Sequence, residues 1–457
     1  MRVAKTQRAG ADASMLDCAG ACNVEERVMA FDRRMPRRML GMLRARLPEL
    51  GLEQAYDPRG RQGRRWPLAT LLRAVLVGLL GGARSLAKAE WLTDTLSLPA
   101  RRALGIPRRI ADTTLRDLLC RLAPSVLRRC LHTMVRAAHR RHALEPDGLP
   151  FGVVAMDGKG TALPSCDDHY AQRQTAGEGH ALCGLLRTTT CSLVSSRARV
   201  CLDAIPIPAR TNEMAGFAAA LRTLCAAYRG IDLFRLVSYD AGACSESNAA
   251  AVRAHGLHYL LGLKGPQPAL LAEAQRLLAR LGPEQAAAQS EDAIAAGGHR
   301  VRRLYISAEM AHFSWDHLRT VLRVESEQLD AKGRRTAYEN RYFLSSLPLA
   351  RLSPAQWLLV VRRHWGVENN CHNTLDAVFR EDEHPWIVSD PRGALAVLLL
   401  RRVAYNLLSL FRSVSQRSDE RRGAPWRWLI DHLRHTLAAS TETDTAGLRF
   451  RTPPLRE

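Results

Sequence analysis

Three things are scarce in this chain, and each scarcity removes a class of protein. None of the 11 cysteines forms a CxxC pair or stands at finger spacing with histidine, and their number is odd. That argues against the common zinc-ribbon and finger folds and against a disulfide framework. Thiols set in apolar runs, such as Cys191 and Cys201, suit a reducing cytoplasm. Long apolar runs are scarce too. The start, "MRVAKTQRAGADASM", lacks the apolar segment of a signal peptide. "LATLLRAVLVGLLGGA" and "ALAVLLLRRVAYNLLSLF" read as too short or too broken by Arg to span a bilayer. Acid is the third shortage. Asp and Glu number 45 against 66 Lys and Arg, a net charge of +21. A field of that sign favours a polyanion, nucleic acid before an anionic membrane surface. The expected setting is the cytoplasm, without a membrane partner.

What is present is ordinary for a folded protein. Over 457 residues, 46% are apolar and 24% charged, enough for two or three domains. Residues 1–34 are small, polar and mixed, and read as a disordered or loosely attached leader. Residues 35–148 carry helical periodicity almost throughout, with caps expected at Ser85 and Asp112. This region has about twice as many basic as acidic residues, which makes it a candidate DNA-binding domain. At "FGVVAMDGKG" the texture changes. The runs "VVAM", "LLRTTTCSLVSS" and "ARVCLDAIPI" read as strands, then helices and strands alternate through "NEMAGFAAALRTLCAAY", "LFRLVSYDAG", "ESNAAAVRAHG" and "LHYLLGLKG". That order suits a mixed α/β sheet. A polar stretch with strand signals, 290–350, interrupts it, and helices resume over 351–415. The last part, 416–457, reads as a basic tail.

Asp157 and Asp240 each read as ending a strand, the place where a sheet presents catalytic side chains. Taken singly, each is more often a cap or turn former. A third acid, Glu368, lies in "RRHWGVENNCHNTLDAVFRED", at the margin of an apolar helical face with His364 and His372 one turn to either side. Three converging carboxylates repel one another unless a cation joins them. Mg²⁺ takes such oxygen ligands together with substrate phosphate oxygens, and two such ions can promote phosphodiester displacement. Asp376, Glu381 and Asp382 compete for the third position, Asp382 most directly. A zinc site of His364, Glu368 and His372 is disfavoured because its histidines stand two turns apart. Lys159, Lys264, Arg362, Arg363, His364 and Asn369 are candidate DNA contacts, each also explicable as a solvated surface group. Trp365 reads as packing before a base-stacking platform.

The ordered set "VVAMDGKG", "ARTNEMAGFAAALRTL", "VSYDAGA", "YLLGLKGPQPALL", "YFLSSL" and "RRHWGVENNCHNTLDAVFRED" resembles the DDE transposases of bacterial insertion sequences, of the ISAs-one type in the IS-four superfamily. The likeness runs from about Asp57 to Phe411. It implies an RNase H-like catalytic domain over 149–289 and 351–415, with 290–350 as a β-rich insertion before the last acid and an all-helical N-terminal domain ahead. By the same resemblance Asp157, Asp240 and Glu368 are the catalytic, metal-holding acids. The implied cofactor is Mg²⁺, with Mn²⁺ as a substitute. The implied reaction is cleavage at insertion-sequence ends and strand transfer into target DNA. The implied partners are double-stranded terminal inverted repeats, target DNA and further copies of the chain. Some companions depart from the family pattern: Val361, His364 and Leu375 stand where Tyr, Arg and Lys are usual, and His372-Asn373 replaces His-Trp. A catalytically inactive DNA-binding derivative and a Mg²⁺-dependent nuclease therefore stand as alternatives.

Overall fold

In the computed structural model the described residues are 34–164, 167–175, 182–294, 297–416 and 418–448. All but the last residue of the expected leader, and residues 449–457 of the expected tail, lie outside them.

Up to residue 140 the described chain's regular structure is helical only: α1 (Met35–Arg46), α2 (Leu68–Leu80), α3 (Leu86–Thr95), α4 (Leu98–Leu104), α5 (Asp112–Arg121) and α6 (Pro124–Arg140). Ser85 caps α3 as its spacing predicts, its side chain accepting from Lys88 N. The cap expected from Asp112 is supplied differently. Asp112 is already inside α5, and the Glu90 carboxylate reaches across from α3 to accept its backbone N–H at 2.9 Å.

These helices do not pack by themselves. Their core residues are continuous with those of α12 (Pro391–Leu410) and α14 (Trp426–Ala439), near the other end of the chain. The stretch read as a tail also carries α13 (Asp419–Arg422) and α15 (Glu442–Thr445), and buries Leu429, Leu433 and Leu437. Pro391–Ser415 is long and apolar enough to cross a membrane on length and composition, yet all of that apolar window is buried inside the protein. Two of its arginines, Arg401 and Arg402, find partners there. Arg402 pairs with Glu381, and Arg401 donates to the His384 carbonyl.

The sheet has ten strands: β1 (Val153–Pro164), β2 (Ala171–Thr175), β3 (Leu182–Leu193), β4 (Cys201–Pro206), β5 (Leu236–Tyr239), β6 (His258–Leu263), β7 (Ala288–Ala293), β8 (His299–Ser307), β9 (Thr320–Leu329) and β10 (Arg335–Ser345). Their order is β2-β3-β1-β5-β6-β10-β9-β8-β7, with β4 pairing β3. The β1–β5 and β5–β6 pairs are parallel and the others antiparallel. Parallel neighbours need crossovers, supplied by α7 (Glu213–Ala227) between β4 and β5 and by α8 (Glu246–Ala254) between β5 and β6. The order β4-β3-β1-β5-β6 is compatible with an RNase H-like domain. After α9 (Pro268–Leu278), strands β7–β10 form no separate sheet. β10 pairs with β6, so they extend the same one.

Side-chain alternation sorts the sheet's two faces. Val154, Met156, Val237 and Tyr239 pack with Phe217 and Leu221 of α7. Val153, Ala155, Leu236, Leu260 and Phe343 pack with Trp357, Val360 and Val361 of α10 (Pro354–His364). Trp357 is almost wholly buried there, and burying such a side chain is worth about 2–3 kcal/mol. The second face carries the candidate site.

Candidate active site

Asp157 does not end its strand, as its sequence context suggested. β1 runs on to Pro164 because antiparallel pairing with β3 holds it extended through Pro164↔Cys183. What ends beside Asp157 is the parallel partner, β5. The register runs Val153↔Leu236, Val154↔Val237, Ala155↔Ser238, and Asp157 and Asp240 each follow two residues after its last pair. By alternation Asp157 follows Val153 and Ala155, and Asp240 follows Leu236 and Ser238, in the series that faces α10. Asp240 is exposed and caps a short 3₁₀ turn, its Oδ1 accepting from Gly242 N at 2.9 Å. A Cβ on Gly262 of β6 would stand 2.9 Å from Ala241 N. Only glycine lets that strand pass so close behind Asp240, a role for which the sequence offers no signal beyond an isolated Gly within a strand pattern.

The third acid arrives from the opposite layer. α10 begins at a capping box, in which Ser353 accepts from Gln356 N and Gln356 accepts from Ser353 N. The segment stays helical, widens to a π-helix over Val367–His372, and returns to α geometry in α11 (Asn373–Ala377). π-Helical turns are rare and concentrate at functional sites. A Cβ on Gly366 would meet Val194 Cγ1 at 3.2 Å, so the turn lies close over the end of β3. His372 Nδ1 is 3.4 Å from Asp157 Oδ2. Burial, helped by the nearby Arg402 and Lys159 cations, pushes His372 down to about 3 and keeps it neutral. Glu368 stands four residues earlier on the same segment, its side chain exposed and without a hydrogen bond or ion pair among the described residues.

Glu368 borders a cleft of about 580 Å³ between the π turn and the sheet's β8–β10 face. Its walls include Arg199, Arg300, Arg302, Arg341, Arg362 and Arg363. Arg300 and Arg302 share a face because they are two apart on β8. Arg341 lies 4.3 Å over the Trp365 ring, a cation–π contact that holds both side chains at the cleft edge. Arg199, Arg300, Arg302 and Arg341 were missed in the sequence reading. The period-two spacing of Arg300 and Arg302 is the signal that could have found two of them.

The other DNA-contact candidates are placed unevenly. Arg362 reaches Asp292 Oδ1 at 2.6 Å, and Arg363 donates to the Asp147 and Ser195 carbonyls. His364 is interior: its Nδ1 is 3.1 Å from Ser238 Oγ, and burial pushes it down to about 4. It ties α10 to β5 two residues before Asp240, and among the described residues the ligand atoms of His364, Glu368 and His372 do not all lie within 4.8 Å of one another, which argues against a zinc site there. Asn369 is exposed at the cleft, and Lys264 is exposed beyond β6. Trp365 packs edge-on against Phe343, 5.9 Å between ring centres, as expected of a packing residue.

Lys159 is not a free cation on a turn. It is 8% exposed, 2.8 Å from both oxygens of Asp376 and 3.3–3.4 Å from those of Asp382. Asp376, Glu381 and Asp382 form the one set of three metal-capable groups, among the described residues, whose ligand atoms all lie within 4.8 Å of one another. Asp157, Asp240 and Glu368 do not approach that closely. Yet the tighter cluster already holds its cations: Lys159 on Asp376 and Asp382, and Arg402 on buried Glu381. Burial raises the Asp376 carboxyl and Lys159 opposes that rise. Asp157, Asp240 and Glu368 offer the same carboxylate oxygen donors, and Asp240 and Glu368 are exposed.

A family model described as "Transposase DDE domain" matches residues 150–407. Two proteins of Escherichia coli (strain K12) are similar to this chain. "H repeat-associated putative transposase YhhI" is 25% identical over 319 residues, covering 67% of this chain and 74% of that protein. "Putative protein YbfL" matches at the same identity and coverage.

Proposed function

The chain belongs to the transposase DDE domain family, and on that premise we propose that it is a DNA transposase of the ISAs-one type that cleaves the ends of its own element and joins them to target DNA. One observation supports the reading: on the parallel pair β1–β5, Asp157 and Asp240 follow in alternation the residues that pack against the helix leading to Glu368, which borders an arginine-walled cleft. Asp157, Asp240 and Glu368 would hold Mg²⁺, or Mn²⁺ in its place. When bound, the metal activates the attacking oxygen and stabilises the leaving one. The protein's own part is positional. Gly262 and the Gly242 N–H set Asp240, neutral His372 sits against Asp157, and the His364–Ser238 contact ties the helix to the strand. The arginines attract the phosphate backbone, and two copies would bring two ends together.

A second reading, a DNA-binding derivative without catalysis, draws on the separation of the three carboxylates. The separating assay uses a supercoiled plasmid carrying the gene with its flanking DNA, incubated with protein and Mg²⁺. The transposase reading expects cut ends and joined products, both absent with Asp240→Ala while DNA binding is retained. Binding without cleavage by the unaltered chain overturns it in favour of the inactive derivative. Cleavage without joined products makes the chain a nuclease.

A further inference from the structure

A second basic groove, of about 630 Å³, opens where three distant parts of the chain meet. One wall is the turn between α2 and α3, another is α14, and the third is Ala377–Arg380, directly after α11. Arg84, Lys88, Arg380, Arg427 and Arg434 line it against a single lining acid, Asp431. Arg84 and Arg427 have no acidic partner among the described residues. Arg434 is held by Asp431 at 3.0 Å and Arg380 by Glu383. Trp91 is 53% exposed, with the Lys88 ammonium 5.7 Å from its ring centre.

The groove is shaped by packing. A Cβ on Gly82, where φ is +75°, would stand 2.9 Å from Ile430 Cγ2 of α14, and one on Gly81 would stand 2.9 Å from Leu92 Cδ1 of α3. The paired glycines let the turn sit directly against α14, so cations from both ends of the sequence face one opening. A concave surface with five cations and one acid is complementary to a row of phosphates. Its exposed indole adds a flat apolar contact for sugar or base.

We propose that this groove seats the backbone of duplex DNA outside the reacting phosphodiester, and that α3 and α14 contribute to it together. The duplex-holding surface is then composite, built from the N-terminal and C-terminal helices, and the helical region 35–148 is not sufficient for it. The proposal rests on the DNA-transposase reading but is tested without chemistry.

Binding of a fluorescein-labelled random-sequence duplex is measured in EDTA across a series of salt concentrations. The full chain is compared with Arg84→Glu/Lys88→Glu, with Arg427→Glu/Arg434→Glu, and with a control pair on another surface, Arg210→Glu/Arg222→Glu. Each lost phosphate contact lowers the slope of log K against log salt by about 0.9. Each groove variant is therefore expected to lower it by roughly two units, with the control unchanged. A wild-type slope in either groove variant, or an equal fall in the control, overturns the proposal. Asp240→Ala, which is expected to abolish cleavage, should keep the wild-type slope here. Failure of the groove and failure of the catalytic reading are thus read in different assays.

Discussion

Two groups of three acids lie close together in the chain's α/β half, and they differ in who supplies the countercharge. Asp376, Glu381 and Asp382 are the tighter group, yet Lys159 and Arg402 of the same chain already neutralise them. Asp240 and Glu368 are exposed, and the acids they join are set by strand register and a π turn. Carboxylate density alone therefore does not tell which acids have room for a further cation. Acids paired with cations of their own chain are partly neutralised already, whereas Asp240 and Glu368 stand exposed to solvent.

The largest test of that contrast is in stability. Glu381→Ala leaves Arg402 buried and uncompensated, and is expected to lower unfolding free energy by about 3–5 kcal/mol. Glu368→Ala should change it by less than about 0.5 kcal/mol, as an exposed site does. Urea unfolding of both variants measures the difference, and equal losses would break the comparison. Metal binding comes next. A ligand at 100 times its dissociation constant stabilises by about 2.7 kcal/mol. Saturating Mg²⁺ should raise the melting temperature of the unaltered chain accordingly. Asp157→Asn/Asp240→Asn should erase that gain, and Asp376→Asn/Asp382→Asn should keep it. The reverse pattern would move the metal to the tighter cluster. Smallest is Gly262→Ala, where the added methyl must displace the Ala241 backbone at an expected cost of about 1–3 kcal/mol. Its sharper readout is Mg²⁺ affinity, which should fall because the Asp240 cap shifts. An unchanged affinity would show that Gly262 does not position Asp240.

The sequence made some of this legible and hid the rest for physical reasons. "VVAM" and "RLVSY" announce strands because a strand buried on both faces needs apolar residues throughout. Ser85 announces a cap because its side chain replaces a local N–H partner. The Asp112 cap failed because its true partner, Glu90, comes from another helix. Lys159 read as a turn lysine because Asp376 and Asp382 lie more than 200 positions away. The tail reading failed to foresee helices because much of α14's apolar face is matched by helices from the other end of the chain.

By itself, then, the sequence determined the local periods, the net charge of +21 and the presence of three well-spaced acids in family motifs. Those are properties of neighbouring residues and of composition. Tertiary structure alone decided that β1 and β5 pair in parallel just before Asp157 and Asp240, that the helix widens at Glu368, and that Lys159 belongs to the other acid group. Each of those depends on pairing or packing between segments far apart in the chain, whose energies no local pattern encodes.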